Sequence, residues 1–270
     1  MLQKTFSIYS EDLNDVRLFV ETGKNHIACW CKKNNDDQLR AFEFFQCDNY
    51  TAKSFEALIE NAKLYSRLLT MPVSQTFFLW NTNDLLCLPK ERTDPAFLKQ
   101  SFDLMAGYSD EATIYSKATD YCLVAWRVKD LQQKVASQYF PNAIFIHQYN
   151  ALLPSLLPAE DEVVYLFLYP HYFTMVVFKL GKFQLAQTRK YHKPEDVLYF
   201  ILNVCKQYEM GKDSTVYCGG FIDERSNLYE VLFQYLEGFK LMETDETRFE
   251  GKEFTAYATH YYMPYINYVV

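Results

Sequence analysis

Neither a long apolar run nor a cluster of basic residues occurs in this 270-residue chain, and each absence removes a class of function. A membrane-spanning helix needs roughly 18–20 consecutive apolar residues, and no stretch approaches that length. The opening segment MLQKTFSIYSEDLNDV has no apolar centre of the kind a secretory signal carries. Nucleic-acid backbones are held by clustered Lys and Arg. Here no basic run exceeds two residues, the formal charge is −7 and the pI is near 5.3. These features predict a cytoplasmic protein with no membrane span and no nucleic-acid partner.

Metal and catalytic signatures are equally sparse. Seven irregularly spaced cysteines fit a reducing compartment better than a disulfide framework. With no C-x-x-C pair in the chain, Cys29-Trp30-Cys31 beside His26 reads as buried core thiols rather than a closed zinc site. There is no G-x-S-x-G, H-E-x-x-H, P-loop or G-x-G-x-x-G. No residue is assigned a catalytic role, and no metal is expected.

What the chain does have is aromatic bulk. Its 22 Tyr and 22 Phe predict a β-rich core in which rings fill the space between sheet and helices. Strand-like runs cover 16–21, 26–32 and 39–47, followed by a helix over 52–69 that Thr51 or Asn49 could cap. Runs 76–80 and 84–88 flank Asn81-Thr82-Asn83 and read as a hairpin. A helix over 95–105 opens on Asp94-Pro95. A strand pair follows at 113–116 and 121–126, then a helix over 128–139, a strand over 143–147 and a short helix over 150–157.

Pro158-Ala159-Glu160-Asp161-Glu162 combines a helix breaker with a solvated acidic cluster, so we place a boundary there, between a first lobe of 1–157 and a second of 158–270. Past it the pattern restarts. Strands are expected over 163–169, 173–179 and 183–191, then a helix over 194–208, a strand over 214–218, a helix over 224–236 and a short strand over 239–242. The tail reads as strand or helix over 254–262 and extended over 265–270. Leu18-Phe19-Val20 aligns with Leu166-Phe167-Leu168 at an offset of about 148 residues, and the order of elements after each is the same. The expected fold is α/β, with two similar lobes, each a mixed sheet flanked by helices.

That plan resembles the actin-like ATPase superfamily, which includes actin and the sugar kinases. The hairpin VVFKLGKFQLAQT, the helix after it and VYCGG leading into a helix resemble the second lobe of actin-like proteins of pilus assembly and cell division. Among such proteins the chain is similar to an uncharacterised bacterial family with an actin-like ATPase fold. The resemblance implies an Asp-x-Gly phosphate-binding turn in each lobe and a glycine pair beneath the adenosine. In the first lobe Glu21-Thr22-Gly23-Lys24 keeps a carboxylate, a glycine and a cation. The plainer reading is that Gly23 supplies a positive φ to a hairpin turn. In the second lobe Leu168-Tyr169-Pro170-His171-Tyr172 has neither carboxylate nor glycine, and Pro170 removes a donor. Gly219-Gly220, with Asp223 or Glu224 nearby, completes a vestigial nucleotide site of Glu21, Gly23, Lys24, Gly219 and Gly220.

Loss of the charge-handling turns impairs hydrolysis more than binding. We therefore expect a non-catalytic binding or scaffold protein with no bound cofactor and an unidentified protein partner. The alternative is a nucleotide-binding ATPase or small-molecule kinase using ATP and Mg²⁺. The aromatic tail His260-Tyr261-Tyr262-Met263-Pro264-Tyr265 either packs on its own lobe or docks on a second copy.

Overall fold

The computed structural model describes residues 2–157, 161–266 and 268. The first three residues of the expected boundary, Pro158 to Glu160, lie outside them. By internal contacts the chain divides into two compact units. The first takes described residues of 1–154 together with 247–256, and the second takes 155–246 together with 257–268.

The first unit runs β1 (Leu2–Tyr9), β2 (Val16–Gly23), β3 (His26–Lys33), β4 (Leu39–Cys47), α1 (Phe55–Tyr65), β5 (Gln75–Trp80), β6 (Leu85–Leu88), α2 (Pro95–Ala106), β7 (Ala112–Ala118), β8 (Leu123–Lys129), α3 (Asp130–Tyr139), β9 (Ala143–His147) and α4 (Gln148–Leu152). Its main sheet has the order β1-β4-β3-β2-β5-β9. β1, β4, β3 and β2 pair antiparallel in turn, whereas β5 and β9 run parallel to β2. The second unit runs β10 (Glu162–Leu168), β11 (Tyr172–Lys179), β12 (Lys182–Lys190), α5 (Pro194–Gln207), β13 (Thr215–Gly220), α6 (Asn227–Tyr235), β14 (Phe239–Leu241) and α7 (Met263–Ile266). Its sheet order is β12-β11-β10-β13-β14, antiparallel over the first three and parallel over the last three. With β1 set aside, the two sheets share one strand order and one pattern of directions.

The strands form where β-branched and aromatic residues can be covered on both faces, as a sheet with parallel central strands requires. Phe19 stacks on Trp30 and on Phe77 across three neighbouring strands. In the second unit Val164, Leu166, Leu168, Phe173, Met175 and Val177 form a core with Val197, Ile201 and Val204 of α5. α1 follows a 3₁₀ turn whose Thr51 and Ser54 form a reciprocal capping box. Asp94 caps α2 through Phe97 N, with Pro95 at the first position. Burial pushes the Cys29 and Cys31 thiols well up, so both are inert core groups at neutral pH.

Several sequence expectations need correcting. β1 carries no clear signal, because it is an edge strand that alternates between half-buried and exposed positions. Strands β5 and β6 do not form a hairpin. β6 joins β8 and β7 in a separate three-stranded antiparallel sheet, covered by Leu98 and Phe102 of α2. The helix expected over 52–69 ends at Tyr65, where Ser66 turns extended. Residues 265–266 are helical rather than extended. The tail packs within the second unit, with Tyr265 and Ile266 fully buried.

Candidate functional site

The sequence-predicted site residues fall in two places. Glu21, Gly23 and Lys24 share the β2–β3 hairpin of the first unit. Gly219 and Gly220 end β13 in the second. Glu21 is 0% exposed. Its Oε1 accepts from Asn81 Nδ2 at 3.1 Å and lies 2.9 Å from His26 Nε2, so the carboxylate is committed to the interior. Gly23 is not among the residues with positive φ. It is a ladder residue opposite His26, which corrects the expectation of a left-handed turn glycine. Lys24 is exposed at the tip of the turn.

In the second unit the turn between β10 and β11 is closed by aromatic rings. Tyr169 N donates to Tyr172 O at 2.9 Å, and the two rings stack at 4.5 Å. The Tyr265 ring meets Tyr169 edge-on, and Tyr191 OH donates to Tyr169 O at 3.0 Å. At the glycine pair, a Cβ on Gly219 would stand 2.8 Å from Met263 Cβ and 3.3 Å from His260 O. His260 Nε2–H donates to Ile222 O at 2.8 Å, which fastens that tail segment over the end of β13. Gly220 has φ +96°, and a Cβ there would lie 2.2 Å from Leu168 O. Asp223 is exposed and accepts from Arg225 N at 2.7 Å in a local turn.

The sequence reading missed a pocket of ≈ 230 Å³ within the first unit. Thr22, Tyr50, Trp80, the 81–84 loop, Arg127 and Lys129 line it together with Lys24. These residues come from well-separated segments, so no local motif announces them. Arg127 is a wall of this pocket. Its Nε and Nη2 donate to Asp84 Oδ2 at 3.1 and 2.9 Å, and its remaining bonds go to the carbonyls of Ala106 and Gly107.

His147, the last residue of β9, steadies the 81–84 loop. Its Nδ1 accepts from Tyr149 N at 3.1 Å and its Nε2–H donates to Thr82 O at 3.2 Å. Those two bonds fix the neutral Nε2–H tautomer, and burial pushes its pKa down to about 3. The unfolded imidazole takes a proton near pH 6.5. Below that pH the unfolded state therefore binds more protons, and stability falls with acid. His147 should cost the fold about 2 kcal/mol between pH 7 and 5. Urea unfolding at those two pH values, compared with His147→Asn, checks this: the variant should show a clearly flatter dependence.

Residues 3–239 match the family described as "Protein of unknown function (DUF3822)". The chain belongs to that family. Among curated proteins none matches the sequence. The fold of this DUF3822 member is similar to that of a Bacteroides thetaiotaomicron protein with actin-like ATPase fold and unknown function. That pair has 15% identity, a TM-score of 0.70, and coverage of 84% of this chain and 91% of the other. The PilM–PilN type IV pilus biogenesis complex contains a chain matching at TM-score 0.59 and 10% identity, over 93% of this chain and 96% of that one. Ethanolamine utilization protein EutJ from Carboxydothermus hydrogenoformans matches at TM-score 0.51 and 9% identity, over 96% and 91%. The fold is that of the actin-like ATPases, as the order of elements in the sequence implied. Among the described residues no helix is long and apolar enough to cross a membrane.

Proposed function

We propose that this DUF3822 member is a non-catalytic binding or scaffold protein of the cytoplasm that uses a degenerate actin-like ATPase fold. One observation carries the reading. The Gly219-Gly220 turn, where the resemblance would place an adenosine, is covered by the chain's own His260–Met263 segment. Two further features agree with it. Stacked Tyr169 and Tyr172 fill the neighbouring turn, and the Glu21 carboxylate is turned to His26 and Asn81 rather than outward.

A protein partner fits this reading. Tyr199 and Leu202 of α5, with Phe233 and Tyr235 of α6, remain exposed on helices that pack against each other. The similar PilM is found in a complex with PilN. Self-association through the aromatic tail is disfavoured, because Tyr262, Met263 and Tyr265 are buried in their own unit.

The test is a thermal melt with and without Mg-ATP at about 1 mM. A ligand present at 100 times its Kd stabilises by about 2.7 kcal/mol, which amounts to several degrees. The expected shift is close to zero. A shift of several degrees would establish the competing reading, a nucleotide-binding ATPase or small-molecule kinase built on Glu21, Gly23, Lys24, Gly219 and Gly220.

A further inference from the structure

Two of the seven cysteines form a pair on the three-stranded sheet of the first unit. Cys87 lies on β6 and stands opposite Val124 of β8. Cys122 comes two residues before Val124, in the turn that leads into β8. Leu86, Leu123 and Ala125 pack with Leu98 and Phe102 of α2, so strand alternation puts Cys87, Val124 and Cys122 on the opposite face. Across that diagonal the two thiols are close enough to hydrogen-bond each other. Thr119 holds the turn. Its N–H donates to Cys122 O at 2.8 Å, and its Oγ1 accepts from Cys122 N at 3.1 Å and lies 3.8 Å from Cys122 Sγ.

The pair differs from the other five cysteines. Cys29, Cys31 and Cys218 are fully buried, Cys47 is buried, and Cys205 sits half-buried on α5. Burial pushes all five of those thiols up. Cys122 is the one cysteine whose thiol is pulled down. The chief cause is the Cys87 S–H, which donates to the Cys122 thiolate, and the Thr119 hydroxyl and the Lys90 ammonium add to it against the opposing effect of burial. That same hydrogen bond, with burial, keeps Cys87 protonated well above the usual thiol range. The pair therefore gives up its first proton readily and keeps its second. Thiolates rather than thiols react with oxidants. Proton exchange along the hydrogen bond lets either sulfur carry the charge, and Cys87 is the half-buried one that an oxidant reaches first.

We propose that Cys87 and Cys122 are a redox modification site, which a peroxide converts to a reversible intrachain disulfide. The Cys87 thiolate attacks one peroxide oxygen and the O–O bond breaks, giving hydroxide and a sulfenic acid on Cys87. The Cys122 sulfur then attacks the sulfenic sulfur. The S–O bond breaks, its oxygen leaves as water with the Cys122 proton, and the S–S bond forms. In sum the two thiols lose two electrons and two protons, and hydrogen peroxide becomes two waters. Diagonal neighbours across a strand pair stand about 7–8 Å apart at Cα, farther than a relaxed disulfide spans. Cys122 lies outside the ladder, so the bridge forms by drawing the 119–122 turn toward β6. A bridge made under such strain is readily reduced. The proposal goes beyond the scaffold reading and is independent of it, since it concerns one sheet of the first unit alone.

Hydrogen peroxide is the probe, applied to the full chain at neutral pH and followed by peptide mass mapping without reduction. A cross-linked peptide pair holding Cys87 and Cys122, lighter by two hydrogens, is expected, and dithiothreitol should restore both thiols. The bridge should form at least about tenfold faster than the buried Cys29, Cys31 and Cys218 are oxidised. In Cys122→Ser the Cys87 sulfenic acid has no resolving thiol and should take a dimedone label. Absence of the cross-link would overturn the proposal, as would pairing of either residue with another cysteine or with a second chain. So would a bridge that dithiothreitol leaves intact, or a folded Cys122→Ser chain that takes no label at Cys87. The map of the unsubstituted chain needs no variant, so it tests the pair even if Cys122→Ser fails to fold.

Discussion

Gly220→Ala should destabilise the second unit by at least about 3 kcal/mol, whereas Gly181→Ala should cost only about 1 to 2 kcal/mol. Both glycines have left-handed backbones, with φ of +96° and +70°. They differ in what a methyl group would meet. At Gly181 nothing lies within 4 Å, but at Gly220 a Cβ would stand 2.2 Å from Leu168 O and 2.9 Å from Leu168 N. Those atoms cannot yield, because Gly220 pairs with Leu168 in the parallel ladder and Phe221 N donates to Leu168 O at 2.8 Å. The comparison isolates the overlap from the backbone strain. Urea unfolding followed by circular dichroism gives both values, and equal losses at the two sites would refute the close approach. A bulky substitution at Gly220 is accordingly a poor probe of nucleotide binding, since it disrupts the sheet first.

Glu43→Ala is the second change of large effect, at about 3 kcal/mol, the low end of the range for a buried ion pair because Lys4 is part-exposed. Glu43 lies on β4 and is 0% exposed. It accepts from Lys4 Nζ at 2.9 Å, from Arg67 N at 3.0 Å and from the hydroxyls of Tyr9 and Ser66. These donors come from the edge strand β1 and from the segment that follows α1, so one carboxylate joins both to the sheet. Its removal leaves four donors without this acceptor, and stranding the buried Ser66 hydroxyl, which water does not reach, costs more than the bond itself. Glu43→Gln retains an acceptor oxygen and should lose less. Hydrogen exchange should show β1 amides opening first in Glu43→Ala, and a loss under about 1 kcal/mol would contradict the network's importance.

The long strands were legible because their composition leaves little choice. Runs such as VVYLFL and HIACWC can be satisfied only between two covered faces, and the polar turns between them set the element order. The 81–83 turn misled for a physical reason. Locally it has a hairpin's composition, but Asp84 is drawn to Arg127 by an ion pair and by the Arg127 N to Asp84 O bond of 2.9 Å, which places β6 in the other sheet. The pocket of the first unit was not legible at all, because Thr22, Trp80 and Lys129 converge only through tertiary folding. The want of a carboxylate and a glycine in the second turn could be read directly from Leu168 to Tyr172. The covering of Gly219-Gly220 by the tail depends on a contact between His260 and Ile222, which no spacing reveals.

The late segments have a consequence for synthesis. Gln38 Nε2 donates to Thr247 O at 2.7 Å, Leu39 bridges to Phe249, and Arg40 is ion-paired with Glu250, all in the first unit. Residues 257–268 belong to the second. A nascent chain therefore holds both its units without their final pieces until these late residues have left the ribosome. N-terminal units ordinarily fold first during translation. Here completion of the N-terminal unit waits for the same stretch that completes its successor.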